Sequence, residues 1–375
     1  MKIDFLKRSA FDFCYFFFHR VEGSGSVRKT ILSVSVIHFF THTSRKMLFF
    51  NLKGVICESK SGRFAILAKR VIDCSGDADV AHLAGARTQK LAKEHMMGVT
   101  TVFNVSGVDC VKFVDYTEKK AMTYSDWISL WNQKTSDEGK EQNLKSPVIY
   151  EEIVKASNDG LIPSMDELNA KHVSIGGTWS SLSMDSGEAT NLNLIYMKNV
   201  DGTNVQDLTN AEIEGRKQAL NALVALKANL PGFENAKLRN FGMTLGVRDT
   251  RKLVGMYSLT ADDCKNQARF EDSIGIFPEF IDGYSIVILP SSGRYFHVPF
   301  GCLVSPDVDN LLVGGRIVAG DMISHAAMRN MMACCVTGQG AGVAAAISVK
   351  LEQSVHKLDV KKVQDELIRQ NVRIF

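Results

Sequence analysis

An α/β fold of the doubly wound kind is what this 375-residue sequence predicts, and three stretches predict it. Near the C-terminus, the apolar run Leu311-Leu312-Val313 stops at Gly314-Gly315-Arg316. A buried strand that ends at two glycines reads as a strand entering a tight turn. The chain from about Ser324 to Lys350 then carries little bulk: Ala326, Ala327, Ala333, Gly338, Gly340, Ala341, Gly342, Ala344, Ala345 and Ala346. A helix that small approaches another backbone closely. Glycines in the turn leave room for a ligand, and a helix N-terminus favours an anion. The second stretch repeats this logic: a strand from Ala65 to Ile72 enters the turn Ser75-Gly76-Asp77, and the short helix after it ends at Gly85. The third runs from Phe241 to Gly255 and on to Thr260-Ala261-Asp262-Asp263, where Thr260 and Asp263 have capping-box spacing.

Taken in order, Phe49–Glu58 and Gly62–Ile72 read as two strands around a Ser59–Gly62 turn, and Thr100–Val105 as a third. From Lys112 to about Asn169 the pattern turns polar and helical, with Trp127 and Trp131 one turn apart in a packing role. Gly176–Trp179 reads as a turn and Asn193–Met197 as a strand. Thr209–Asn229 reads as an amphipathic helix with Ile213, Leu220, Leu223, Val224 and Leu226 on its apolar side, ended by Pro231-Gly232. Residues 239–304 return to strands, and a surface helix begins near Asp359.

Composition narrows the class. Hydrophobic content of 45% and charged content of 23% are those of a folded globular chain. A net charge of +3, spread along the chain, is too small to argue for a nucleic-acid partner, and none is expected. The eight cysteines form no C-x-x-C, so no iron–sulfur or zinc ligand set is present and no metal is expected. Cys334 and Cys335 point about 100° apart on a helix and read as core or interface residues. Free thiols fit a reducing compartment, the cytoplasm. The first 46 residues differ from the rest. Their apolar runs, at Phe11–Phe18 and Ile31–Phe40, fall short of a membrane span, and no small-residue cleavage site follows Lys2, Lys7 and Arg8 as a signal peptide requires. Met331–Val349 is long and uncharged, but its Thr, Gln, Ser and glycine content points to a buried helix.

At this point the sequence resembles the FAD-dependent oxidoreductases related to the flavin subunit of heterodisulfide reductase, within the broad glutathione-reductase-like class. Five blocks carry the resemblance in order: Ile72-Asp73-Cys74-Ser75-Gly76-Asp77-Ala78-Asp79, Leu245–Arg251, Val298–Val304, Asn310–Arg316, and Arg329–Gly342 with Thr337-Gly338-Gln339 at its centre. Together they lie within about Gly54–Lys350, with a weak match from 109 to 238. The resemblance implies an FAD/NAD(P)-binding Rossmann-like three-layer domain with an inserted α+β substrate domain. It divides the chain into 1–46 (an atypical N-terminal segment), 47–108 (FAD-binding, first part), 109–238 (substrate and helical domain), 239–350 (sheet and FAD-binding, second part) and 351–375 (C-terminal helix). Family members open with a βαβ unit whose G-x-G-x-x-G turn receives the pyrophosphate. Here Gly23-Ser24-Gly25-Ser26-Val27-Arg28 departs from it at the third glycine and follows no apolar strand, so the domain is expected to be incomplete at its N-terminus.

The residues expected at the site follow. Gly314, Gly315 and Arg316 contact the cofactor at a strand end, unless they are a plain turn. By resemblance Ser75, Gly76 and Asp77 lie against the ribose and pyrophosphate of FAD, and Gly338 and Gln339 also belong to its site. The alternative for Asp77 is a helix N-cap. His325 and Arg329, four apart, share a helix face that by resemblance meets the flavin ring. A cation there stabilises reduced flavin, and a histidine moves a proton near neutral pH. The alternatives are a surface charge and a packed imidazole. Arg248 and Arg251 on a strand point to opposite faces, and Arg248 is the choice for a substrate carboxylate, against a salt bridge with Asp249. His297 is a weaker candidate. The expected partners are a small-molecule substrate and an electron acceptor, with no nucleic acid, no membrane and no assigned oligomeric state. The alternative to an FAD-dependent oxidoreductase is a non-catalytic remnant or interaction module that no longer binds FAD.

Overall fold

The structure, a computed structural model, describes residues 33–39, 50–120, 122–123, 145–146 and 149–375, with side chains for 51–119 and 149–375. Trp127, Trp131 and the Gly23–Arg28 segment lie outside the described residues. The chain divides into two compact units, one holding the described residues up to Lys90 and from Arg251 onward, the other those from Leu91 to Thr250.

The first unit opens with β1 (Ser33–Phe39), β2 (Phe50–Ser59) and β3 (Gly62–Leu67), paired antiparallel in that order around β2. The expected strand from Ala65 to Ile72 is two strands. β3 ends at Leu67, and β4 (Val71–Asp73) starts a separate parallel pair. Helix α1 (Asp79–Leu83) follows the Ser75–Asp77 turn, and Gly85, at φ +83°, takes the left-handed position after it, as its place in the sequence predicts. β5 (Thr88–Gln89) ends this part.

The second unit is a five-stranded antiparallel sheet with helices. It contains β6 (Val99–Ser106), α2 (Cys110–Lys120), β7 (Met122–Thr123), β8 (Lys145–Ser146), α3 (Glu151–Asn158), α4 (Met165–Ala170), β9 (Val173–Thr178), β10 (Ser181–Ser183), β11 (Glu188–Met197), α5 (Val205–Asn229) and β12 (Lys237–Phe241). The sheet runs β10-β11-β6-β12, with β9 also on β11. Gly176 and Gly177 sit inside β9 rather than in a turn, because a Cβ on Gly177 would strike the Asn193 carbonyl oxygen where the β9–β11 register shifts. Helix α5 buries only part of its expected apolar side: Leu226 is buried and Leu223 packs against the core, while Ile213, Leu220 and Val224 are exposed and Ala211, Gly215, Ala219, Ala222 and Ala225 are buried. The cause is close packing: a Cβ on Gly215 would collide with Thr101 of β6, so around Gly215 a small-residue face is needed against the sheet.

The first unit resumes with β13 (Lys252–Leu253), α6 (Ala261–Lys265), β14 (Ser273–Pro278), β15 (Ile281–Gly283), β16 (Ile286–Ile288), β17 (Tyr295–Pro299), β18 (Val308–Asp309), β19 (Leu311–Val313), α7 (Met322–Met328), α8 (Met331–Lys350) and α9 (Val360–Arg369). Thr260 and Asp263 form the expected capping box on α6. β19 pairs parallel with β4 in the register Leu311–Val71, Leu312–Ile72 and Val313–Asp73. Leu311, Leu312 and Val313 are fully buried, as a strand covered on both faces requires. Helix α8 packs on this pair. It is the one helix among the described residues long and apolar enough to cross a membrane by length and composition alone, with 39% of that stretch buried.

Candidate functional site

Two turns, at the ends of β4 and β19, meet beside the start of α8. Asp73, the last residue of β4, is 1% exposed and organises the first turn. Its Oδ1 accepts from the Ser75 N–H (2.9 Å) and its Oδ2 from the Ala81 N–H (2.8 Å). Ser75 Oγ accepts from the Asp79 N–H (3.0 Å). These acceptors serve the N-terminus of α1, so Asp77 is not its N-cap; Ala78 holds that position in a left-handed conformation. Asp77 instead pairs with the Arg316 guanidinium, Nη2 to Oδ1 at 3.0 Å. Arg251 donates through Nε to the Asp77 carbonyl (2.9 Å) and pairs with Asp79, whose carboxyl is raised above the usual range by burial, against the pull of Arg251.

The second turn is held to α8. The Gly315 N–H donates to Thr337 Oγ1 (3.0 Å), and Gly315 has φ +82°, a left-handed conformation suited to glycine. A Cβ on Gly314 would lie 3.2 Å from Cys74 Sγ and 3.5 Å from Gly338 Cα, so the glycine lets the turn close on the helix.

The helix expected from Ser324 to Lys350 is broken in two. Asn330 ends α7 with its side-chain amide, which donates to the carbonyls of Ala326 (3.0 Å) and Ala327 (2.8 Å), and it is the N-cap of α8. Arg329 therefore sits at the bend. Its Nε donates to the Asp282 carbonyl (3.1 Å) and its Nη2 to Asp282 Oδ2 (2.8 Å). His325, within α7, is 3% exposed, with its ring centroid 6.3 Å from that of Tyr284.

Together these elements line a cleft of about 810 Å³, bounded by Ile72, Cys74 and Gly76 on one side and Gly314–Arg316 on the other, with α8 along its length. Of the residues expected at the site, Gly76, Gly314, Gly315, Arg316, Arg329, Gly338 and Gln339 line it; Ser75, Asp77 and His325 do not. Arg248 belongs to the second unit, where its guanidinium lies 4.9 Å from the centroid of the Tyr196 ring. Residues 247–251 are not a strand, so the opposite-faces argument for Arg248 and Arg251 does not apply. His297 is buried on β17, its Nδ1 accepting from the Phe270 N–H at 3.1 Å.

Sequence reasoning missed Cys74, Gly342, Ala346 and Gln370 as lining residues. The signal for two of them was present: Gly338, Gly342 and Ala346 recur every four residues and so share a helix face. Cys334 and Cys335 also line the cleft rather than packing in the core, and Cys335 is exposed. Burial, then the neighbouring Asp73 and Cys334, pushes the Cys74 thiol up to about 11. Among the described residues, Cys74, Cys110, Cys264, Cys302, Cys334 and Cys335 form no disulfide.

A cleft floored by a parallel strand pair, edged by two glycine turns and lined by cations suits an anionic, elongated ligand. A family model described as FAD dependent oxidoreductase matches residues 27–367. The chain belongs to the FAD-dependent oxidoreductases. Neither a curated protein nor a solved structure matches it. The family's cofactor, FAD, fits what lines the cleft. Nothing lies within 4 Å of where a Cβ on Gly338 would be, the nearest atom to one on Gly315 is Cys334 Sγ at 3.9 Å, and Arg316 carries a buried Nε–H without an acceptor. In this flavoprotein the α/β unit that holds the cleft is the first one, and its parallel pair accords with the FAD-binding fold of the family.

Proposed function

We propose that the chain is an FAD-dependent oxidoreductase whose cofactor lies in the cleft along α8. One observation carries this reading: Gly76, Gly314, Gly315 and Arg316, distant in sequence, converge on the same cleft as the small-residue face of α8. Bound FAD supplies the transfer of a hydride or electrons between a small-molecule substrate and an acceptor. The chain's own residues do the rest. Gly314 and Gly315 let the backbone approach the cofactor, and Arg316 offers a cation for phosphate. Gly338 and Gly342 keep the helix face clear. Arg329, held by Asp282, places a positive charge at the cleft. His325, from the buried side of α7, acts by holding that segment in place. Arg248, in the second unit, binds a substrate carboxylate, and the second unit is the substrate domain. We further propose a likeness in kind to the flavin subunits of heterodisulfide reductases. The test is the visible spectrum of the chain purified with FAD supplied. Flavin near one per chain, bleached by a substrate and restored by an acceptor, supports the reading; a chain that stays colourless at saturating FAD overturns it.

A second reading has its own support. Among the described residues β4 pairs only with β19, and much of α8 is uncovered. A strand edge of this kind pairs readily with another chain, and such a chain serves as an interaction module without FAD. It predicts no flavin bands and association through the open edge.

A further inference from the structure

This inference rests on reading the cleft as the site of a phosphate-bearing cofactor. Three observations converge on Arg316. Its guanidinium covers Gly76, where a Cβ would lie 2.7 Å from Cζ and from both Nη atoms. The same guanidinium is paired with Asp77 at 3.0 Å, in a pair whose side chains are 27% and 20% exposed. Its Nε–H is buried and has no acceptor, a state that folded proteins leave to few groups. The glycine most able to let a phosphate approach the Ser75–Asp77 turn is thus covered by a cation, and that cation is held by a carboxylate that would repel the phosphate.

We propose that Arg316 is a latch on the cleft. In the conformation seen here Asp77 holds the guanidinium over Gly76. A diphosphate replaces Asp77 as its partner, because two phosphate groups offer a guanidinium bidentate acceptors and can also receive the Nε–H that has none now. The guanidinium moves off Gly76 as it changes partner, and the turn becomes open to the ligand. Asp77 is therefore a competitor of the ligand rather than one of its contacts. It lowers affinity for phosphate-bearing ligands and leaves affinity for uncharged ones unchanged. Arg251 stays on the Asp77 carbonyl and on Asp79 in both positions, so the turn keeps its shape when the side chain of Asp77 is released.

The test is calorimetric titration of the purified full chain with ADP, which carries the diphosphate, and with riboflavin, which carries none. Variants are Asp77→Asn, Arg316→Gln, Arg316→Lys and the double variant Asp77→Asn/Arg316→Gln, each checked by its thermal unfolding. Asp77→Asn is expected to bind ADP about threefold to tenfold tighter. Arg316→Gln is expected to bind it about tenfold weaker, the loss of one charge-assisted hydrogen bond, and Arg316→Lys to recover part of that loss. In the double variant the gain from Asp77→Asn disappears, and riboflavin affinity stays the same throughout. Weaker ADP binding by a folded Asp77→Asn variant overturns the latch and makes Asp77 a structural staple of the turn. A gain that persists without Arg316 also overturns it. If the wild-type chain binds neither ADP nor riboflavin, the cofactor reading itself falls, and the latch with it.

Discussion

The Asn330 side-chain amide donates to the Ala327 carbonyl at 2.8 Å and to the Ala326 carbonyl at 3.0 Å, while the Asn330 backbone, at φ −65° and ψ 146°, starts α8. One residue thus ends one helix and begins the next. The bend it makes sets the direction of Arg329, which reaches Asp282 and the cleft wall. The break falls after Arg329, whose N–H still donates to the His325 carbonyl at 3.0 Å; His325 is buried, and Arg329 lines the cleft.

Asn330→Ala is accordingly expected to lower stability by about 1–2 kcal/mol, from two lost hydrogen bonds to helix-end carbonyls. Urea unfolding of the purified chain measures it. The same variant is expected to weaken FAD binding, because Arg329 is no longer held at the bend. Unchanged stability would mean that water replaces the amide at no cost.

Asp73 is a stronger case because it is buried. Asp73→Ala leaves the Ser75 and Ala81 N–H groups without their acceptor, at about 1–3 kcal/mol each. Asp73→Asn keeps one side-chain oxygen and is expected to lose roughly half as much. Chemical denaturation of both variants gives the comparison, and equal losses would show that the charge, rather than the acceptor count, holds the turn.

Much of the site could be read in the sequence, since glycine turns after short apolar strands leave a local signature. Gly314, Gly315 and Gly76 were legible because their conformations and clearances are properties of a few neighbouring residues. Long-range partners were not. Nothing near Asp77 in sequence points to Arg316, and nothing near Arg329 points to Asp282. Burial was misread on α5 for a related reason. The periodicity of Ile213, Leu220 and Val224 marks an apolar stripe, but the distance allowed between α5 and β6 is set by Gly215 against Thr101, a contact between distant segments.

That difference has a direct test. Ile213→Lys and Leu220→Gln, on the exposed face of α5, are expected to change stability by less than about 0.5 kcal/mol. Ala219→Leu and Ala222→Leu, on the buried face, are expected to cost about 1–3 kcal/mol through overpacking. Thermal or urea denaturation of the four single variants decides it; the opposite ranking would restore the orientation that the periodicity suggests.

His297 gives the fold a dependence on acid. Burial lowers its imidazole below the usual histidine range, and its Nδ1 accepts from the Phe270 N–H. Below about pH 6.5 the unfolded chain takes up a proton that the folded chain resists. Its contribution is therefore complete above that pH and is lost as the pH falls through the lowered folded value. Urea midpoints are expected to fall between pH 7.5 and 5, and His297→Gln to flatten that slope. An equally steep slope in the variant would assign the effect to other groups.

Gly338 separates a clearance for ligand from a need of the helix. It lies within α8, and a Cβ there would meet nothing within 4 Å. If packing alone decided, alanine would be the better residue, since glycine inside a helix is about 0.5–1 kcal/mol less favourable. Gly338→Ala is thus expected to raise stability by about that amount. Gly338→Phe is expected to fold and to fill the cleft beside Gly314, abolishing FAD binding. Thermal unfolding and the quenching of flavin fluorescence on binding measure the two effects in the same samples. The decisive result is a Gly338→Phe variant that melts near the wild-type temperature and no longer binds FAD. Retention of flavin by that variant would place the cofactor elsewhere than against this face of α8.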